Sequence, residues 1–233
     1  MAGKEVNINS NYEKFYSKIT NKKVYPTEFV VRTFLANYPD LKMEKPKPGD
    51  SVLDIAFGDG RNTVFLCEQG YNVSGIEITK GIVELTGKRL KDLGLAADLR
   101  IGRNNNIPFE DNSFDYILAS HCMYYCDDGD LLSDNLKEYA RVLKPGGYLI
   151  GSVANSDSYI FEGAEELSDG SKLINNDPYN NRDGYRLFAF KSEKEIEDYF
   201  SDLFNEFSIG FADNNFYGIR ERVFWITCKN LNN

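Results

Sequence analysis

The residues best suited to chemistry begin with Ser51-Val-Leu-Asp-Ile-Ala-Phe-Gly-Asp-Gly-Arg-Asn-Thr63. Glycines at 58 and 60 allow backbone N–H groups to approach a polar ligand closely, where an apolar run gives way to helical spacing. Glu77 follows nineteen residues after Gly58, about where a carboxylate takes both hydroxyls of a ribose. The combination describes a site for an adenosine-type cofactor. His121 is the single histidine, a base near neutral pH that could take a proton from a hydroxyl acceptor. A hydrogen-bonded structural histidine fits the same position, and the sequence leaves both open. The four cysteines offer no metal centre: Cys122 and Cys126 are spaced C-x-x-x-C, which matches no common zinc pattern. Reduced thiols in a cytoplasmic protein are the expectation.

The elements that must position these groups follow from periodicity. Val52, Leu53 and Ile55 form a short apolar run suited to a buried parallel strand, and Val64 to Cys67 continue as a helix ending near Gly70. Asn72 to Glu77 reads as a second strand, and Thr79 as the cap of a helix that Gly94 ends. Asp98–Ile101 and Ser113–Ser120 read as strands three and four. A helix within Asp127–Val142 leads to a Pro-Gly turn and a fifth strand, Leu143–Ile150. Ser192 caps a helix over Glu193–Phe200, and Phe204–Phe211 and Arg222–Cys228 close the chain as antiparallel strands. Before the first strand, Tyr12, Phe15, Tyr16 and Ile19 mark an amphipathic helix within Asn7–Lys23, and Pro26 opens a second one. Residues 155–190 are polar, aromatic and turn-rich, too long for a plain connection.

Two enzyme classes share a glycine turn of this kind. A dinucleotide dehydrogenase wants a third glycine where this chain has Thr63, and here an acid, Asp54, stands four residues before Gly58. The order Asp54-x-Ala56-x-Gly58-x-Gly60 resembles the first motif of the class I S-adenosylmethionine-dependent methyltransferases, with Ala56 in place of a glycine. Gly60-Arg61-Asn62 resembles a subset acting on small molecules. Ile107-Pro-Phe109 with Ser113-Phe-Asp115, and Lys144-Pro-Gly-Gly147, resemble two further landmarks of the family. The resemblance covers about Ser51 to Val153. It implies an α/β fold with a Rossmann-like, seven-stranded, mostly parallel sheet, a final antiparallel hairpin and helices on both faces. It also implies S-adenosylmethionine as cofactor. Asp54 would orient the turn, and Ala56, Gly58, Gly60 and Arg61 would line the methionine end. Glu77 would take the ribose, Ile78 would pack on adenine, Ser120 would belong to the cofactor site, and Asn104 or Asn105 would replace the acid that Arg103 displaces. The acceptor would sit beyond strands four and five, near His121.

The chain then reads as one domain over 1–233, with 1–45 as an N-terminal cap and 155–190 as a substrate lid. Tyr16 and Tyr25 from the cap, and Tyr179, Arg182 and Tyr185 from the lid, are the expected acceptor contacts. With 27 Lys+Arg against 36 Asp+Glu, the net charge of -9 disfavours nucleic-acid partners. No apolar run approaches the length of a membrane span. Arg182, Arg186, Arg220 and Arg222 are isolated cations that suit a carboxylate or phosphate, so the expected acceptor is a small polar metabolite, anionic groups included, methylated on a hydroxyl or an amine. A non-catalytic protein that binds the cofactor is the alternative, and a nicotinamide-dependent oxidoreductase a weaker one.

Overall fold

A computed structural model describes residues 8–18, 23–127 and 129–232. Helices α1 (Ile8–Ser17) and α2 (Glu28–Leu35) precede the first strand. There follow β1 (Ser51–Ile55), α3 (Arg61–Glu68), β2 (Asn72–Glu77), α4 (Lys80–Asp92), β3 (Asp98–Ile101), β4 (Phe114–Ala119), β5 (Tyr125–Cys126), α5 (Leu132–Val142) and β6 (Leu143–Ala154). Three short strands, β7 (Glu165–Glu166), β8 (Lys172–Leu173) and β9 (Arg186–Leu187), lead to α6 (Glu193–Phe200) and the hairpin of β10 (Phe204–Phe216) and β11 (Ile219–Asn230).

The main sheet has seven strands in the order β10-β11-β6-β4-β1-β2-β3. From β3 to β6 every pairing is parallel, and β11 runs antiparallel to both β6 and β10. Strand alternation sends neighbouring side chains to opposite faces. Leu53 and Ile55 of β1, with Ile117 and Ala119 of β4, therefore meet α5 and α6 through Leu136, Tyr139, Ile196 and Phe200. Val52, Tyr116, Leu118 and Ile150 point the other way, onto Val30 and Phe34 of α2 and Phe65 and Leu66 of α3. Both faces are covered, which is why these strands read as continuous apolar runs. The crossover direction reverses between β1 and β4, and open parallel sheets bind ligands at such a point, beyond the carboxyl ends of the strands.

The boundaries shift modestly from the sequence reading. Both hairpin strands are longer than expected, because their outer portions pair only with each other and so need no apolar alternation. The helix expected across Asn7–Lys23 spans Ile8–Ser17; Asn7, Ile19 and residues 20–22 lie outside the described residues. The turn at Lys144–Gly147 forms a break in register, with Phe114 paired to Leu143 and Tyr116 to Tyr148. Residues 155–190 are less loose than their composition suggests. A single 3-10 turn at Tyr159–Phe161 precedes β7, β8 and β9, which join β5 in a second, antiparallel sheet of order β5-β9-β8-β7.

Asn230 fastens the end of β11 to the main domain. Its side-chain amide donates to the carbonyls of Ala140 (2.9 Å), Leu143 (3.1 Å) and Lys144 (3.3 Å), which closes the carboxyl end of α5. Asn230→Ala strands these acceptors in a buried setting and is expected to cost about 1–3 kcal/mol of unfolding free energy. Urea denaturation measures it, and a loss below about 0.5 kcal/mol would show that water replaces the amide.

Candidate active site

The glycine turn between β1 and α3 is built from left-handed backbone. Gly58 and Gly60 have φ of 56° and 77°, and Ala56 has 52°. The glycines adopt this region freely, while an alanine there carries roughly 1–2 kcal/mol of strain. The replacement at position 56 is therefore accommodated, at a cost. Gly60 has a second constraint, since a Cβ there would fall 2.5 Å from the Cγ2 methyl of Thr86 in α4. The Thr86 hydroxyl also donates to the Gly58 carbonyl at 2.8 Å, tying the turn to α4.

Glu77, at the end of β2, joins this turn to the next one. One carboxylate oxygen accepts from the Gly58 N–H at 2.9 Å and the other from the Ile78 N–H at 2.8 Å. Burial raises its pKa, and the two backbone hydrogen bonds pull against that rise. Asp54 lies beneath the turn, 1% exposed, and accepts from the Thr63 hydroxyl at 2.7 Å. Burial pushes the Asp54 carboxyl up to about 7; the Thr63 hydrogen bond opposes this, and the charges of Glu77 and Asp59 add to it. Arg61 forks onto Asp59 through Nε (3.0 Å) and Nη2 (3.2 Å), and Arg89 donates to the Asp59 carbonyl.

Two cavities meet over this framework. The first, of about 230 Å³, is lined by Ile76, Glu77 and Ile78 from β2 and its turn, Asn104 and Asn105 from the loop after β3, and Asp127 and Asp130 from the loop after β5. The second, of about 290 Å³, takes in Asp59, Arg61, Asn62, Tyr124, Tyr159 and Glu221. Tyr16, Ala56, Ser120, His121 and Arg182 line both. Tyr16 of α1 lies against the turn itself: a Cβ on Gly58 would fall 2.6 Å from its phenol Cζ.

The expected site residues divide accordingly. Tyr185 lines the first cavity, with its ring edge-on to Tyr12 and Tyr125 at 5.7 and 5.8 Å. Tyr25, 71% exposed, and Tyr179, 54% exposed, lie outside both cavities. Asn104 spends its side chain on the fold: it donates to the Cys122 and Tyr125 carbonyls and accepts from the Tyr139 hydroxyl. Asn105 donates to Asp130 at 2.6 Å. Arg103 pairs with Asp127, so acids absent from the loop after β3 reach the same cavity from the loop after β5.

The isolated cations are fewer than the sequence suggests. Arg186 pairs with Asp169, and Arg220 and Arg222 with Asp213, Arg222 reaching Asp157 as well. Arg182 alone of the four lines the cavities, donating to the hydroxyls of Tyr125 (2.9 Å) and Tyr159 (3.2 Å), with Asp177 at 3.6 Å. Asp177 also accepts from the backbone N–H groups of Tyr179, Asn181 and Arg182, which fixes the loop that carries the guanidinium.

His121 has φ of 57°, donates its backbone N–H to the Ser152 hydroxyl at 2.7 Å, and sets its ring edge-on to Trp225 at 5.0 Å. Burial lowers its pKa to about 4, with the charges of Arg182 and Arg61 adding to the shift. At neutral pH the imidazole is uncharged and weakly basic. The sequence reading did not assign Tyr12, Asn62, Tyr124, Tyr159 or Glu221 to the site. Asn62 and the Tyr124-Tyr125 pair were legible from their places just after strands one and four; Glu221 had no local signal.

The order of the seven strands, with a nucleotide-type turn after the first and an acid after the second, defines a class I methyltransferase fold. Residues 53–151 match the family model described as a methyltransferase domain. A structure of an S-adenosylmethionine-dependent methyltransferase from Methanosarcina mazei superposes with a TM-score of 0.65 at 24% identity, covering 85% of this chain and 100% of that one. The 1,6-didemethyltoxoflavin-N1-methyltransferase of Burkholderia thailandensis, solved with 1,6-didemethyltoxoflavin and S-adenosylhomocysteine, superposes with a TM-score of 0.64 at 16% identity, covering 96% and 85%. The demethylmenaquinone methyltransferase of Corynebacterium kroppenstedtii is 38% identical over 104 residues, 45% of this chain and 42% of that protein. The chain thus spans less than half the length of the curated relatives it matches. Residues 53–151 thus resemble a methyltransferase domain, and the chain shares its fold with solved S-adenosylmethionine-dependent methyltransferases. Among the described residues no helix is long and apolar enough to cross a membrane.

Asp54 makes the site's stability depend on pH. Its folded pKa of about 7 lies above the ordinary value near 4, so between these limits the folded chain holds a proton that the unfolded chain has released. Its contribution to stability therefore falls as pH rises through that window and is level outside it. Asp54→Asn removes the titration and should gain on the parent by up to about 1.4 kcal/mol per pH unit between pH 5 and 7. Urea unfolding of both proteins across this range checks it, and parallel curves would refute the raised pKa.

Proposed function

We propose that this protein transfers the methyl group of S-adenosylmethionine to a small-molecule acceptor. The observation that carries the reading is the buried Glu77 carboxylate, held against the Gly58 turn on the wall of one cavity that opens into a second, polar one. The residues present fit the cofactor. Glu77 suits a ribose diol, the apolar Ile76 and Ile78 suit a purine, and the turn at Ala56, Gly58 and Gly60 brings backbone close to the methionine end, with Asp54 beneath it. Arg61 suits the methionine carboxylate while its fork on Asp59 holds it in place. Asn105 and Ser120 complete the first cavity, and Asn104 acts through its backbone because its side chain is engaged.

The cofactor supplies a methyl group already activated on a sulfonium, so the chain's own work is to bind, orient and exclude water. The acceptor belongs in the second cavity, which Tyr124, Tyr159, Arg182 and Glu221 surround. His121 stands between the two cavities as a neutral ring, a wall and hydrogen-bond partner, since a group of pKa about 4 is a poor base at neutral pH. The chain works as one domain. Residues 1–45 serve as its cap, met at the glycine turn by Tyr16, and 155–190 as its lid, which carries Arg182 and Tyr185 to the site.

Calorimetry with S-adenosylhomocysteine, and with a nicotinamide dinucleotide as control, tests the cofactor. Binding of the first and not the second is expected; the reverse would favour an oxidoreductase. Glu77→Ala should weaken S-adenosylhomocysteine about tenfold or more, because a hydrogen bond to a charged group is worth roughly 1.5–3 kcal/mol. Unchanged affinity would place the ribose elsewhere. Turnover of labelled S-adenosylmethionine against a set of small metabolites separates an enzyme from a binding protein. With an acceptor so identified, Arg182→Ala should raise its Michaelis constant about tenfold while leaving cofactor affinity within twofold. Equal turnover by the mutant and the parent would remove Arg182, and the lid with it, from acceptor binding.

A further inference from the structure

Among the described residues, the second cavity holds one charged side chain with no hydrogen bond or ion pair of its own. Asp59 is matched by Arg61 and Arg89, and Arg182 by Asp177. Glu221 lines the same wall and has no hydrogen bond or ion pair from its side chain among the described residues. Its orientation follows from the strand. At the start of β11 the side chain of Arg222 turns outward to Asp157 and Asp213, while Glu221 and Val223, on the opposite face, turn into the cavity. The backbone there is pinned: the Arg222 N–H donates to the Ser158 hydroxyl at 3.1 Å, and the Asn155 N–H donates to the Arg222 carbonyl at 3.0 Å.

We propose that Glu221 is the specificity-determining residue for the acceptor, and that it selects a primary or secondary amine whose N–H donates to its carboxylate. The inference rests on the methyltransferase reading and narrows it from a hydroxyl or amine, anionic or not, to a nitrogen acceptor. A half-buried carboxylate without a partner favours a ligand that brings a donor, and it repels a ligand that brings a second carboxylate. Burial raises the Glu221 pKa, with the Arg182 charge pulling the other way, as expected of a carboxyl that lacks a donor of its own. The tyrosine rings at 124 and 159 flank the carboxylate and suit a flat or aromatic skeleton behind the amine. Arg182 retains its own role in the same cavity, where its charge is shared with Asp177.

The test is binding to the full chain saturated with S-adenosylhomocysteine, followed by calorimetry. Three probes share one skeleton: 2-phenylethylamine, 2-phenylethanol and phenylacetate. The amine is expected to bind at least tenfold more tightly than the alcohol, with the carboxylate weakest. Glu221→Gln should erase at least tenfold of the amine's advantage while S-adenosylhomocysteine affinity stays within twofold. Amine binding no tighter than the alcohol in the parent, or an advantage that survives in Glu221→Gln, overturns the proposal. Failure of S-adenosylhomocysteine to bind the parent is a separate result, which overturns the methyltransferase reading instead. Radiolabel transfer with the same probes gives a second readout: methylated 2-phenylethanol or phenylacetate in excess of methylated amine also overturns it.

Discussion

The Glu77 carboxylate on the Gly58 N–H is the contact on which the rest of the site depends. Two crossover turns leave neighbouring parallel strands with free backbone donors, and one acid satisfies a donor from each. Because Glu77 is buried, its charge is costly unless those donors stay aligned, so the carboxylate and the turn hold each other in shape. The same interaction aligns Gly58 for Thr86 and places the glycine backbone beneath Tyr16. Helices α1 and α4, which share no sequence proximity, are thereby coordinated around a single turn.

Electrostatics around that turn are divided by depth. Beneath it Asp54 is removed from water and titrates near neutrality. At the level of the turn Asp59 is flanked by two arginines, Arg61 and Arg89. Above it, aromatic hydroxyls surround Arg182, and the imidazole of His121 is held neutral by burial and by nearby positive charge. A site of this kind need not carry a strong base. Its contribution is a fixed array of backbone donors, carboxylates and aromatic hydroxyls around two adjoining cavities.

How much of this the sequence disclosed follows from which physics is local. Apolar alternation and glycine spacing are local, so β1, β2, Gly58, Gly60 and Glu77 could be placed before any coordinates. The left-handed backbone of Ala56 was hidden because alanine ordinarily avoids that region, and only the closed turn enforces it. Asn104 reads as an exposed polar turn residue, yet the segment between β4 and α5 gives it two internal partners and α5 a third. The second sheet is built from strands of two residues, too short for any periodic signal. The four arginines looked alike in sequence, and their acidic partners lie 5 to 65 residues away along the chain, so pairing could not be read from composition.

The alternation at the start of β11 has an evolutionary corollary. Arg220, Glu221, Arg222 and Val223 alternate out and in at the edge of the cavity, and the first three alternate in charge. A strand slip of one residue exchanges which of two neighbours faces inward. An insertion or deletion of a single residue in the hairpin between β10 and β11, upstream of this segment, would present an arginine where Glu221 now stands. The charge on that cavity wall would invert without any change to the strand order of the seven-stranded sheet or to the glycine turn. Indel drift in a surface hairpin, ordinarily the most tolerated of mutations, is here a route by which relatives of this fold could exchange one substrate chemistry for another.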